Sequence, residues 1–285
     1  MQLLEYKLVP KWLAHNKYIL TAYRPPYPSF WYCLKTVIRL HNETGNIFTH
    51  MIAFFIYCIL FVHTMKCHTF KNYKPMDGFI ICLYFVSSIT CYGLSTLFHL
   101  FKCHSCKVFK FFAKLDYLGI TLLMVSSNIV WIYYTFYNVL LPKIIHMSLI
   151  SIVGISGIIV TLRDGFSDGN LQVIRGVVFL IKGLFAIAPI VHFCSHSQFN
   201  DPVISQSIIK ALILLLLMAA IYISGVILYM TRIPERFLPG MFDLWFHSHQ
   251  LFHMCSIVAG ICYYQSVYLL INARLKSTVV PTMQM

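Results

Sequence analysis

The chain alternates between long apolar runs and short polar connections. Seven runs reach or approach the roughly 20 residues that a helix needs to cross the hydrocarbon layer of a bilayer. They cover residues 47–65, 78–100, 115–137, 144–162, 173–193, 208–229 and 245–271. Turn and helix-stop signals such as Asp77-Gly78 and Pro239-Gly240 lie between them. The pattern predicts an all-α integral membrane protein, a seven-transmembrane helix bundle.

A short amphipathic helix is predicted ahead of the first span. In the stretch PSFWYCLKTVIRLHNE, apolar residues recur at helical spacing, at Phe30, Leu34, Val37 and Ile38. Lys35 and Arg39 flank this stripe, as expected for a helix that lies on a membrane surface. The chain therefore divides into an amino segment, 1–46, a seven-helix domain, 47–271, and a short tail, 272–285.

The composition supports a membrane protein and argues against a nucleic-acid partner. Apolar residues make up 59% of the chain and charged residues only 11%, whereas about a quarter of a soluble domain is charged. The net charge of +13 would suggest nucleic acid in a soluble protein. Here the bases are spread among the connections and form no continuous basic patch interleaved with aromatic residues, so we expect no nucleic-acid partner.

The bases also predict the orientation of the bundle. One set of alternate connections, which includes the amino segment, carries fourteen Lys and Arg, and the other carries seven. Because positive residues concentrate in cytoplasmic connections, the amino terminus is predicted in the cytoplasm and the tail outside the cell.

Histidines and carboxylates recur at helical spacing near the ends of four predicted spans. His249 and His253 lie four residues apart at the start of the seventh span, a common half of a metal site. The other polar groups are Ser95 and His99 at the end of the second span, Asp116 at the start of the third, and Glu43, Asn46 and His50 at the start of the first. In the predicted topology all of these groups lie at one depth, near the cytoplasmic surface.

Two interpretations of this cluster are possible. A single membrane histidine is more often a hydrogen-bonded packing residue than a ligand, and Ser95 alone would suit helix packing. However, ionisable groups inside membranes are costly and usually functional, and scattered packing residues would not share one depth. Three histidines and one carboxylate at a single depth therefore favour a metal site.

Zinc is the expected metal, because three histidines with an open fourth position are typical of catalytic zinc. Asp116 would then hold and deprotonate the water that the metal activates, and Ser95 would donate to the oxyanion or orient Asp116. Glu43, Asn46 and His50 are expected to support the ligands from behind. A site walled by apolar helices suits a lipid ester or amide as the substrate.

Several stretches together resemble the progestin and adipoQ receptor family, most closely its adiponectin receptor branch. They are YRPPYPSF, IRLHNETGNIFTH, STLFHLFKCHSCKV, KLDYLGI, YMTRIPERFLPGMFDLWF and SHQLFHM, and they run in the family's order over residues 22–254. The resemblance implies seven helices with the amino end inside. It also implies zinc on His99, His249 and His253, with a water or hydroxide held by Asp116.

For function, the resemblance implies a receptor for an extracellular protein hormone or a lipid ligand, with ceramidase-like hydrolysis of lipid amides. A receptor is expected in the plasma membrane, with the endoplasmic reticulum or Golgi as the alternative. The alternative is a non-enzymatic receptor in which zinc only ties the helices together. A transporter would carry ionisable groups through the whole bilayer, whereas this chain gathers them at one end. The amino segment is shorter than in adiponectin receptors, which leaves the family's intracellular adaptor contacts in doubt. His247 stands where the family often has another polar residue.

Overall fold

The structure, a computed structural model, describes residues 2–66, 74–163, 165–166, 171–196 and 202–279. Helices make up most of this part of the chain. Their bounds are α1 Phe30–Thr36, α2 Thr44–Lys66, α3 Pro75–Phe101, α4 Cys106–Thr135, α5 Leu140–Thr161, α6 Gln172–Leu184, α7 Ile187–His196, α8 Pro202–Thr231 and α9 Ser248–Val279.

Seven helical segments of the described chain are long and apolar enough to cross a bilayer. They correspond one to one with the predicted runs, so the seven-helix bundle is confirmed. The fifth span is formed by α6 and α7 in succession. The side of the membrane on which each end lies remains a prediction from the charge count.

The fifth span is interrupted in its middle, which the sequence pattern did not predict. α6 ends at Leu184, Phe185 and Ala186 form a turn, and α7 begins at Ile187. Pro189 lies in the first turn of α7, where its missing N–H cannot bond to the carbonyl of Phe185, four residues earlier. The predicted continuous run, 173–193, is therefore two helices.

The bundle is held by close helix crossings around an aromatic core. α9 packs along α8 and α3 packs along α4, and these are the most extensive helix pairs. Gly119 of α4 lies against the backbone of α3, because a Cβ there would come within 2.9 Å of the Cα of Cys91. The core contains large buried rings, including Tyr57, Tyr92 and Trp131. Such tight packing fixes the spans relative to one another.

The amino segment folds back on the end of the bundle. Its residues Leu4 and Tyr23 pair through backbone hydrogen bonds, and a small apolar cluster forms between them around Leu13 and Ile19. Helix α1 follows, with Cys33 and Thr36 buried and Trp31 and Leu34 exposed. The predicted amphipathic helix is therefore present, although it is shorter than the stripe suggested.

Two predicted span boundaries are wrong, and both errors bear on the site. α4 begins at Cys106, nine residues before the predicted start, so Asp116 lies inside the helix and not in its first turn. α9 begins at Ser248, so the apolar residues Trp245 and Phe246 belong to the connection 232–247. Apolar counting finds the membrane-embedded part of a helix, but it does not find where the hydrogen-bonded helix begins.

Candidate metal centre

Three histidines from two helices meet inside the bundle. His99 lies in the last turn of α3, and His249 and His253 lie one turn apart at the start of α9. One ligand nitrogen of each lies within 4.8 Å of the others. The Nε2 atoms of His99 and His249 are 3.2 Å apart, and the three ring centroids are 4.7 to 5.0 Å apart. The predicted ligands are therefore together and could hold one metal ion.

Two of the three rings are oriented through their second nitrogen. Nδ1 of His99 lies 2.7 Å from a carboxylate oxygen of Glu43, and Nδ1 of His253 lies 3.1 Å from the hydroxyl of Thr49. A donor or acceptor on one imidazole nitrogen fixes the ring and leaves the other nitrogen for a ligand. His99 and His253 therefore present Nε2 to the centre of the cluster.

The carboxylate of Glu43 contacts three polar side chains behind the histidine cluster. The carboxylate oxygen next to Nδ1 of His99 also accepts from the amide of Asn46 at 2.6 Å, and the other oxygen lies 2.5 Å from the ammonium of Lys102. Burial alone would raise the pKa of the Glu43 carboxyl, but the Lys102 ammonium and the His99 ring hold that pKa well below its usual range. The carboxylate stays ionised, so it accepts a hydrogen bond from His99.

His50 lies beside the cluster and outside the group of three. Its ring stacks on His253 with centroids 3.5 Å apart, and the edge of Tyr92 meets it at 5.2 Å. Nε2 of His50 is 3.4 Å from the hydroxyl of Ser256, and its buried Nδ1 has no hydrogen-bond partner among the described residues. The supporting position expected for His50 matches this packing, and its role stays a prediction.

Asp116 and Ser95 are buried next to each other where α4 faces α3. Ser95 and His99 are one turn apart on the same face of α3, so the carboxylate of Asp116 lies beside the face that carries a ligand. Asp116 is not itself one of the clustered side chains. The catalytic roles of both residues remain predictions.

The sequence argument missed several residues that hold the site together. Thr49 is adjacent to His50 in the chain, and Lys102 lies three residues after His99, but neither was predicted to contact the cluster. Arg24 is also buried, and its guanidinium donates to the carbonyls of His99 and Leu100 at 2.6 and 2.9 Å. It thereby satisfies carbonyls that the end of α3 leaves without a helical partner. Arg24 and Lys102 both lie in the stretches that carry the family resemblance.

Helix α9 is capped by a residue 13 positions before it. Glu235 is fully buried, and its carboxylate accepts from the backbone N–H and the hydroxyl of Ser248, the first residue of α9. The amide of Asn16 also donates to Glu235, at 2.9 Å. Asp243 is closer in sequence, yet it binds the backbone of Leu20 and Thr21 instead. The cap fixes where α9 begins and therefore where its histidines project.

His247 points away from the cluster. Its Nε2 lies 3.2 Å from the carbonyl of Asn42, which places it against the segment leading into α2. The histidine two residues later, His249, turns inward and contacts the ring of Tyr229 on α8 at 5.5 Å. The two residues therefore have different surroundings, as expected for positions two residues apart around the start of a helix.

Comparison with known proteins identifies the family. The sequence model of the family described as "Haemolysin-III related" matches residues 38–264. This range contains every helix from α2 to α8 and the start of α9, including all three clustered histidines.

Among similar proteins, the progestin and adipoQ receptor-like protein 1 of Caenorhabditis elegans is 41% identical over 96% of this chain and 62% of its own length. The adiponectin receptor protein of Drosophila melanogaster is 39% identical, over 92% of this chain and 58% of its own length. The ADIPOR-like receptor IZH2 of Saccharomyces cerevisiae is 33% identical, over 95% and 86%. The chain thus spans about three fifths of the first two relatives. The resemblance found in the sequence is confirmed, and the chain belongs to the haemolysin-III-related family of progestin and adipoQ receptors.

Proposed function

We propose that this adiponectin-receptor-like membrane protein binds zinc at its three-histidine cluster and hydrolyses the amide bond of a ceramide-like lipid. The observation that carries the proposal is the convergence of His99, His249 and His253, with two of the rings oriented from behind. Scattered packing histidines would have no reason to turn a ligand nitrogen towards a common point.

The cluster fits zinc in its donor type and spacing. Neutral imidazole nitrogens bind zinc at about 2.0–2.1 Å, so two such ligands of a tetrahedral site lie about 3.3 Å apart. The Nε2 atoms of His99 and His249 are 3.2 Å apart. The carboxylate of Glu43 behind His99 is the usual second partner of a zinc-bound histidine. Within the described chain no cysteine or carboxylate joins the cluster, which leaves a fourth position open.

The chemistry divides between the metal and the protein. Bound zinc polarises a carbonyl oxygen and lowers the pKa of a bound water to about 7. Asp116 takes a proton from the attacking water, whose oxygen adds to the amide carbon, and it passes the proton to the nitrogen as the C–N bond breaks. Ser95 donates a hydrogen bond that orients Asp116 or stabilises the oxyanion. The products are a fatty acid and a lipid amine.

A lipid is the substrate class that the position of the site favours. The histidines lie between membrane-spanning helices whose outer faces expose leucine, isoleucine and phenylalanine side chains. A substrate with long hydrocarbon chains is already dissolved in the surrounding bilayer and needs no aqueous route. The polar groups at the helix ends would then meet the amide at the depth of the lipid headgroups.

The proposed activity is part of a receptor function. One relative is named an adiponectin receptor, which supports an extracellular protein hormone or a lipid as the activating ligand of this chain. A hormone receptor acts at the cell surface, so we propose the plasma membrane as its location. Immunofluorescence with a tag at the carboxyl end, before and after permeabilisation of the cells, tests both the location and the predicted orientation. Staining of internal membranes alone after permeabilisation would contradict the location, and staining of the plasma membrane that requires permeabilisation would contradict the orientation.

The hydrolase is tested with purified protein in lipid nanodiscs that contain ceramide. Mass spectrometry measures fatty acid and sphingoid base released by wild type, Asp116→Asn and Asp77→Asn. Asp77 is the matched control, because it is a buried carboxylate at the opposite end of the bundle, bonded to Tyr137. We expect Asp116→Asn to lose at least about 100-fold in rate, as general acid–base catalysis supplies 10²–10⁴-fold. Release of fatty acid that continues both in Asp116→Asn and in metal-free protein would contradict the proposed hydrolase.

A second function is favoured by the way the network joins three helices. The histidines come from α3 and α9, and Glu43 and Thr49, at the start of α2, hold two of them. A metal here would clamp these helices even if it catalysed nothing, as structural zinc does. The non-enzymatic receptor predicts that Asp116→Asn keeps its metal and its ligand response, while a chelator loosens the histidine end. Loss of the response in a folded, metal-loaded Asp116→Asn would exclude it.

A further inference from the structure

An open pocket of about 280 Å³ lies at the end of α8, apart from the histidine cluster. It is lined by Arg232 and Arg236 of the connection that follows α8, by Gln172 at the start of α6, and by Tyr18 of the amino segment. Pockets for whole small molecules occupy about 300–1,000 Å³. The volume here suits a single polar headgroup.

The pocket is rich in uncompensated positive charge. Arg232 donates from Nε to the side-chain oxygen of Gln172 and from Nη2 to the carbonyl of His15, both at 2.9 Å. These neutral oxygens hold the guanidinium in place without cancelling its charge. Arg236 is exposed, and in the part of the chain that the structure describes no carboxylate forms an ion pair with either arginine. The ammonium of Lys17 lies 5.3 Å from the Tyr18 ring and adds a third cation nearby.

The acids of the same connection face away from the pocket. Glu235 is buried against Ser248 and Asn16, and Asp243 binds the backbone of Leu20 and Thr21. Their inward position separates the charges of the connection, with the carboxylates inside and the guanidinium groups at the pocket. Two arginines are well suited to a phosphate, whose oxygens accept paired N–H donors.

The start of α6 adds donors to the same pocket. Gln172 and Val173 are its first two residues, and no side chain caps the helix at Leu171. The first N–H groups of a helix lack helical partners, and the helix dipole there favours an anion. This helix end supplements the arginines, which carry most of the charge.

The surroundings of the pocket indicate that its ligand comes from the membrane. Phe237 and Leu238 follow Arg236 directly and Met241 comes three residues later, and all three side chains are more than half exposed. Exposed large apolar side chains next to basic residues at the end of a span are typical of a segment at the bilayer interface. The guanidinium groups would then lie at the depth of the lipid phosphates.

We propose that this pocket binds the phosphate of an anionic phospholipid headgroup. Arg232 and Arg236 grip the phosphate oxygens, Tyr18 and Gln172 border the headgroup, and Phe237 and Met241 enter the acyl region beside it. The site is separate from the proposed hydrolysis, because the pocket lining includes none of the three histidines and not Asp116.

The test measures lipid binding to the full-length purified chain by native mass spectrometry. The probes are phosphatidic acid, phosphatidylcholine, and the soluble anions inorganic phosphate and glycerol 3-phosphate. We expect phosphatidic acid to remain bound where phosphatidylcholine and both soluble anions do not. Arg236→Gln should weaken phosphatidic acid binding roughly tenfold, equivalent to about 1.4 kcal/mol, because it removes one of the two guanidinium groups that donate to the phosphate. Arg236 has an exposed side chain, so its replacement should leave the fold intact.

Arg39→Gln is the matched control, because Arg39 is also exposed, belongs to the amino segment and does not line the pocket. It removes the same charge and should bind phosphatidic acid as wild type does. If Arg236→Gln and Arg39→Gln weaken phosphatidic acid binding equally, the effect comes from the net charge of the protein, and the proposed site is wrong. If inorganic phosphate binds as well as phosphatidic acid does, the ligand is a soluble anion and not a lipid. Retention of wild-type affinity in Arg236→Gln would exclude the pocket.

Discussion

Histidines from neighbouring helices lie close together at both ends of the bundle, but only one of the two groups has the features of a metal centre. At one end, Nε2 of His99 lies 3.2 Å from Nε2 of His249. At the other, Nε2 of His146 on α5 lies 2.9 Å from Nδ1 of His192 on α7. In distance alone the two pairs are equivalent.

The residues around the two histidine pairs distinguish one pair from the other. Next to His99 and His249 stand a third imidazole and a carboxylate that holds one ring from behind. The ring of Phe136 lies 5.4 Å from His146 and 5.3 Å from His192, and within the described residues no further histidine, cysteine or acid completes a ligand group with them. A metal site needs a third donor and ring orientation in addition to proximity.

The largest expected difference is in bound metal. His253→Ala should lose nearly all of the one zinc per chain that we expect in wild type, because two imidazoles and a water bind zinc far more weakly than three. His146→Ala removes a buried histidine from the opposite end and should keep its zinc. Inductively coupled plasma mass spectrometry on monodisperse protein, prepared without chelators, measures both. If both variants lose zinc equally, the loss reflects damage to the fold and does not identify this cluster as the metal site.

The carboxylate behind His99 should have the next largest effect. Glu43→Gln removes the charge that accepts from His99 and leaves Lys102 without its ion-pair partner. Residues in this supporting position typically change metal affinity about 10–100-fold. Competition with a chromophoric chelator measures the zinc affinity, and Asp77→Asn provides the control at the other end. Unchanged affinity in Glu43→Gln would show that the network only packs the helices.

A smaller loss is expected for the hydroxyl behind His253. Thr49→Ala removes one hydrogen bond to Nδ1, worth about 1 kcal/mol or roughly fivefold in affinity. Thr96→Ala is matched to it, because the Thr96 hydroxyl bonds only to the Tyr92 carbonyl of its own helix. The same chelator competition should separate the two variants. If they behave alike, Thr49 does not orient the ligand.

The smallest effect is expected at His50. His50→Phe keeps a flat ring stacked on His253 and removes the two nitrogens, neither of which lies in the cluster of ligand atoms. Zinc affinity should stay within about threefold of wild type, a difference below 1 kcal/mol. A drop as large as that of His253→Ala would instead make His50 a ligand and require a different centre from the one described.

The spans were predictable from the sequence because a helix that crosses the bilayer needs a run of about 20 apolar residues. The sequence did not predict the break after Leu184, because Pro189 sits inside a run that hydropathy alone joins together. It also misplaced the start of α9, because Trp245 and Phe246 are apolar residues of a connection. The true start depends on Glu235, whose capping contact is invisible without the fold.

The histidines of the site were predictable from helical spacing together with a common depth. The contacts that hold these histidines in place were only partly predictable. Glu43 and Asn46 were found as polar groups at the start of a span, whereas Lys102 and Arg24 were not. Both of the missed residues are bases in segments that also supply the positive charge of one side of the membrane. A charge count therefore treats them as surface residues, and only the packing shows that they bond to buried oxygens.

The most direct test of the account is the zinc K-edge X-ray absorption spectrum of the purified wild-type protein. We predict a four-coordinate metal with three imidazole nitrogens at about 2.0–2.1 Å and one further oxygen that the protein does not supply. That result would establish His99, His249 and His253 as ligands of an open, catalysis-competent centre. A spectrum with sulfur ligands, or with no zinc in a folded and monodisperse preparation, would contradict the central claim.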